Sequence, residues 1–215
     1  MDRVTNTSPS APARAITVFG DICCPFTYAG LESLRRERDQ RCSPLRIEVR
    51  AWPLEWINRK PFDPDHVAAE VRALRSGPAG DLFAGFEPRS FPTTSIPAFG
   101  LVHRAYTFGA GFGEQAAFVV RHAIFEGGLD VGDTRVLAEI GASLGIDPSP
   151  IDDAQRWVAE DLEAGRGLGV VGSPHFVTER GSWFCPLLHI TKDGGEFVVT
   201  IDSQTRGEFL DAVFA

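Results

Sequence analysis

The chain has 215 residues, 43% of them hydrophobic, enough to bury a core as one large domain or as a domain carrying a sizeable insertion. Its formal charge of -8 repels phosphate backbones, and the one basic cluster (Arg35, Arg36, Arg38) is interleaved with Glu32, Glu37 and Asp39, which argues against nucleic acid as a partner. No apolar run approaches about 18 residues, which argues against a membrane-spanning helix.

Residues 1–14, MDRVTNTSPSAPAR, are polar and rich in Ser, Pro and Thr. They lack the apolar stretch of a secretory signal and read as a flexible lead-in, so the expected location is the cytoplasm. In that reducing setting the four cysteines, Cys23, Cys24, Cys42 and Cys185, are not expected to form a disulfide framework. No pair shows Cys-x-x-Cys spacing and the histidines are scattered, so no metal site is expected.

Ala15 to Gly20 is a short run of β-formers that reads as a buried strand. It passes into helical spacing through Phe26, Leu31 and Leu34, then into a second strand over Leu45–Trp52 with alternating Leu45, Ile47, Val49 and Ala51. Strand, helix, strand predicts a parallel βαβ unit. From Asp65 to Leu168 the period is helical, with candidates at 65–76, 95–108, 113–127, 133–145 and 150–165. Ser95, Asp133 and Ser149 are the expected N-caps. After Gly169 strands are predicted at Pro174–Thr178, Trp183–Thr191 and Glu196–Asp202, followed by a helix over Thr205–Phe214. The expected organisation is a sheet domain made of 15–64 and 169–215, with 65–168 inserted as a helical subdomain.

The strongest local signal is Asp21-Ile-Cys-Cys24-Pro25-Phe26-Thr27, where the first strand meets the first helix. Pro25 suits the first helical position, which leaves Cys24 as the N-cap. There its sulfur faces free backbone N–H groups and the positive end of the helix dipole, which favour a thiolate. Thr27, one turn on, offers a hydroxyl to the sulfur. Against this stands the plainer use of a free cysteine as a small buried hydrophobe. Cys23 is expected to point the other way, into the packing of the strand. Later in the chain, Gly172-Ser173-Pro174-His175 starts a strand with a proline after a Gly-Ser pair. By itself that motif more commonly holds a trans proline in a turn, but together with the βαβ opening it predicts a cis Ser173–Pro174 bond within reach of the Cys24 sulfur, which would expose the Ser173 backbone to an extended thiol-bearing chain.

Taken together, Asp21…Cys24-Pro-Phe-Thr27-Tyr after the first strand, the helical block with Gly128-Leu-Asp-Val and Leu137-Ala-Glu-Ile-Gly, and the late Gly-Ser-Pro174 resemble DsbA-like thioredoxin-fold proteins. The similarity includes cytoplasmic members, 2-hydroxychromene-2-carboxylate isomerases and kappa-class glutathione transferases, and spans about residues 15–214. It implies an α/β thioredoxin-like fold with a large helical insertion. It also implies catalysis at Cys24 and Thr27, with substrate binding by Pro25, Phe26, Ser173, Pro174 and His175. Redox members carry a second cysteine where this chain has Thr27, so a disulfide within the motif is excluded. The isomerase and transferase branches usually carry serine where Cys24 stands.

Three functions follow. The first is single-cysteine thiol–disulfide exchange, with glutathione or another low-molecular-weight thiol as the second partner and no tightly bound cofactor. Cys185 is the candidate for an internal second thiol, weighed against plain packing beside Trp183 and Phe184. The second is a thiol-cofactor-dependent isomerase or transferase, its apolar pocket lined by Phe83, Phe86, Phe91, Phe99, Phe108 and Phe112. The third is a non-catalytic fold kept for protein binding. Oligomeric state is not legible.

Overall fold

The computed structural model describes residues 14–147 and 153–215. Most of the polar lead-in and the Ser149 cap therefore lie outside the described residues. Strand β1 (Ala15–Gly20) pairs in parallel with β2 (Arg46–Ala51), from Ala15 opposite Arg46 to Gly20 opposite Ala51. Helix α1 (Pro25–Gln40) makes the crossover and buries Phe26, Leu31 and Leu34. There follow α2 (Leu54–Asn58), α3 (Pro64–Ser76), a single 3₁₀ turn at Pro88–Ser90, α4 (Ile96–Thr107), α5 (Ala110–Phe125), α6 (Thr134–Ser143) and α7 (Ala154–Gly167). The chain then returns as β3 (His175–Thr178), antiparallel to β1, and β4 (Gly181–Phe184) beside it, giving the sheet order β2-β1-β3-β4. A separate hairpin of β5 (His189–Asp193) and β6 (Glu196–Thr200) precedes α8 (Ser203–Phe214).

The helix caps follow local chemistry. Asp63, Asp133 and Asp202 each accept backbone N–H groups of the turn they start. Ser95 holds the N-cap position of α4, yet its hydroxyl donates to Asp21 and Glu55 instead of capping. Just past the Leu168 cap of α7, Gly169 takes a φ of 75° that suits glycine, with the Val170 N–H returning to the Gly165 carbonyl. That turn sends the chain toward Ser173.

The single strand expected over Trp183–Thr191 is two strands. Cys185 has a φ of 48° and Pro186 has no N–H to give a ladder, so the sheet stops there and Cys185–Leu188 forms a turn. β5 and β6 therefore leave the main sheet, and β6 lies against α3. Helix α2, only five residues after Pro53, was not anticipated because it is too short to show a period.

Strand β2 is an edge strand whose outward N–H groups all find side chains. Ile47 donates to Glu114 Oε2 at 3.0 Å, Val49 to the Tyr106 hydroxyl at 2.7 Å and Ala51 to Asp161 Oδ2 at 2.8 Å. Helices α4, α5 and α7 are thus tied to the sheet by hydrogen bonds as well as by apolar packing, and the edge is closed to another strand. On α1, Tyr28 stacks on Phe125 at 5.0 Å and meets Phe83 edge-on at 5.2 Å, joining α1 to α5 and to the loop before the 3₁₀ turn.

Candidate functional site

Cys24 holds the N-cap position of α1 with an extended backbone (φ -83°, ψ 115°), and Pro25 opens the helix. Its thiol donates to the Ser173 carbonyl at 3.5 Å, and the Ser173–Pro174 peptide is cis. The Ser173 hydroxyl accepts the Asp21 N–H at 2.8 Å and shares a 2.6 Å hydrogen bond with the Thr27 hydroxyl. One serine therefore joins the loop before α1, the first turn of α1 and the start of β3. Gly20 permits this closeness, because a Cβ there would come within 2.6 Å of Thr27 Cγ2.

A cleft of about 340 Å³ opens beside the sulfur. Cys23, Cys24, Pro25, Phe26 and Ser173 contribute to it from the sheet side, with Leu54, Asn58, Lys60, His66 and Glu70 from α2, α3 and the loop between them. Thr27 lies beneath, fully buried. Neither Pro174 nor His175 lines the cleft. The His175 ring is tied between the Ser182 hydroxyl, at 2.5 Å, and the Val171 N–H. The aromatic rings facing the cleft are Phe26, Phe62 and Phe184. The six phenylalanines weighed as pocket lining against plain core packing do not line the cleft. Phe83, Phe86 and Phe91 pack around Phe125, Phe99 lines a separate cavity, and Phe108 and Phe112 are exposed.

The electrostatics overturn one expectation. The Cys24 thiol is not shifted toward thiolate; its pKa is pushed up to about 11. Burial is the main cause, since Cys24 is only 4% exposed, and the negative charge of Glu70 adds to it. The hydrogen bonds from Ser173 and Thr27 pull the other way without prevailing. Cys23 is fully buried and is raised well above its ordinary value by burial and by Asp21. Cys42 is exposed.

Several charged groups at the site went unassigned from sequence. Glu70 is pushed up to about 7, mainly by burial, and its carboxylate lies 3.4 Å from His66 Nε2. Asp21 is fully buried and raised to about 6, chiefly by desolvation. Its carboxylate accepts N–H groups from Cys23 at 2.8 Å and Leu54 at 2.7 Å, so it fixes the turn before α1 against α2. Arg121 is fully buried beneath, donates to the Ala117 and Asp21 backbone carbonyls, and is pulled down to about 10 by burial. A signal for two of them was present. Glu70 falls on the same helical face as Val67, Val71 and Leu74, and Arg121 on the face of Ala117, Val120 and Ile124. A charge inside an apolar stripe marks a buried ion.

No family profile matches the chain. No curated protein matches it either. Solved structures do. A candidate protein disulfide isomerase from Nitrosomonas europaea shares 13% identity over 93% of this chain and 97% of its own, with a TM-score of 0.64. A 2-hydroxychromene-2-carboxylate isomerase shares 15% identity over 79% of this chain and 88% of its own, at 0.59. The cytosolic disulfide reductase DsbM of Pseudomonas aeruginosa, in its structure with GSH, shares 19% identity over 79% of this chain and 88% of its own, at 0.55. At such identities the similarity speaks for the fold. With its mixed four-stranded sheet and the helices set between β2 and β3, the chain has the fold of DsbA-like thioredoxin-fold proteins.

Proposed function

We propose that this chain catalyses thiol–disulfide exchange through the single thiol of Cys24, with a small thiol such as glutathione as its second partner. The observation that carries the reading is the placement of Cys24 Sγ at a helix N-cap, against the carbonyl of a cis Ser173–Pro174 bond, on the wall of a cleft. A neighbour of the same fold is a disulfide reductase solved with GSH, which supports the small-thiol partner.

The step balances without a metal. Cys24 sulfur attacks a disulfide R–S–S–R′, forming Cys24–S–S–R while R′–S leaves with the electron pair. The Cys24 proton has to reach the departing thiolate. Glu70, with a pKa of about 7 on the cleft wall, is suited to carry it. A second small thiol R″–SH then attacks the sulfur bonded to R, forming R–S–S–R″; the S–S bond to Cys24 breaks, and Cys24 leaves with the electron pair and takes up the proton that the attacking thiol gives up. Lys60 in the cleft offers positive charge to the carboxylates of a peptide-like thiol. Pro25, Phe26 and Ser173 form the surface on which the disulfide rests.

The raised Cys24 pKa favours a second reading. A thiol that stays protonated can donate S–H to a bound thiolate, as a serine hydroxyl would, and so serve an isomerase or transferase. Cys24→Ser separates the two. Reduced protein is given glutathione disulfide, and adducts are mapped by mass spectrometry after alkylation. Exchange predicts an adduct on Cys24 and loss of turnover in Cys24→Ser. Glutathione binding without an adduct, kept in Cys24→Ser, would replace the first reading with the second.

A further inference from the structure

The second thiol need not come only from solution. Cys185 lies across the ladder from the proline that Cys24 faces. Its backbone N–H donates to the Pro174 carbonyl at 3.0 Å, while the Cys24 thiol donates to the carbonyl one residue earlier, that of Ser173. Consecutive carbonyls at the cis proline thus meet the thiol of Cys24 and the backbone of Cys185. Cys185 is buried, and its left-handed backbone (φ 48°) is pinned on the other side by the Leu188 N–H, which donates to its carbonyl at 3.3 Å. A cysteine held outside the usual backbone regions, at the point where the main sheet ends, is placed by the turn and not by strand pairing.

We infer that Cys185 is an internal resolving thiol for Cys24, standing in for the cysteine absent at position 27. The inference rests on Cys24 acting as the exchanging thiol. Once Cys24 carries a small thiol as Cys24–S–S–R, Cys185 sulfur attacks Cys24 Sγ. The Cys24–S–R bond breaks and the Cys24–Cys185 bond forms. R–S leaves with the electron pair and takes the proton that Cys185 gives up. The protein thiols are oxidised by two electrons, and the starting disulfide has become two thiols. Two further small thiols reduce the protein pair and leave as one small disulfide.

Ionisation of Cys185 is opposed by burial and by charge on Cys24, which together push it to about 12. In the mixed disulfide Cys24 has no thiol left to ionise, and burial alone opposes Cys185.

The test uses reduced full-length protein and glutathione disulfide, quenched at intervals with an alkylating agent and mapped by peptide mass. Wild type should yield a Cys24–Cys185 linked peptide pair. Cys185→Ser and Cys185→Ala should each accumulate the Cys24–glutathione adduct, about tenfold above wild type if the internal attack outpaces the solution thiol. Cys42→Ser, at the exposed cysteine, should leave the linked pair in place. Equal adduct in wild type and both Cys185 variants, with no linked pair, would overturn the inference and leave the proposed exchange standing. Absence of both adduct and linked pair in wild type would overturn the two together.

Discussion

Glu70 and Cys24 share one cleft, and the charge of the first opposes ionisation of the second. Glu70→Gln removes that charge at nearly constant volume, so Cys24 should alkylate faster near pH 7.5. Each unit by which the thiol pKa falls is worth about tenfold in thiolate. Iodoacetamide kinetics with Cys24→Ser as the blank measure this, and a slower or unchanged rate contradicts the assignment. At position 27 the side chain is fully buried, one turn beyond the N-cap, with its methyl group against Gly20. Cysteine lacks that methyl group and fits the space. Thr27→Cys should therefore create an oxidisable pair with Cys24. Thiol counting before and after mild oxidation reads it, and a variant that keeps all its thiols would show the motif misplaced. Cys-Pro at a strand-to-helix junction and the late Gly-Ser-Pro, read together with the family resemblance, singled out Cys24, Thr27 and Ser173, which the structure brings into contact. The ionisation state of Cys24 was not legible. It depends on burial under α2 and α3 and on Glu70, none of which is encoded near residue 24.

Among elements, the edge strand β2 is the most exposed to test. Tyr106 on α4 supplies the acceptor for the Val49 N–H, and its own pKa is raised by burial. Tyr106→Phe keeps the ring and leaves that N–H unpaired, at a cost of about 1–3 kcal/mol. Chemical denaturation should show a lower midpoint with an unchanged slope. A midpoint equal to wild type would mean that solvent replaces the hydroxyl. The periods announced α1, α3 and α6 well, since each presents a clean apolar stripe. The pattern from Trp183 to Thr191 misled, because its apolar residues continue through the turn at Cys185–Leu188. The same turn is what brings Cys185 beside Pro174.

For the whole molecule, buried acids link stability to pH. Glu70 rises from an ordinary 4.5 to about 7, so the folded state keeps a proton that the unfolded chain releases. A group raised in this way contributes stability fully below its unfolded pKa and loses it as pH climbs through the folded value. Between pH 4.5 and 7 wild type should lose on the order of 2–3 kcal/mol relative to Glu70→Gln, read as the difference in unfolding free energy across that range. A constant difference would show that Glu70 is solvated. The sequence by itself determined neither α2 nor the break at Cys185, but it did determine the opening strand, helix and strand, the run of helices after them and the closing helix. These are local matters of period, cap and proline chemistry. Only the tertiary structure decided that Asp21 is buried, that Glu70 and Cys24 face one cleft, that Cys24 rests as a thiol, and that the Cys185 backbone meets Pro174. Burial and electrostatic range join residues far apart in the chain, and neither is set until the helices close over the end of the sheet.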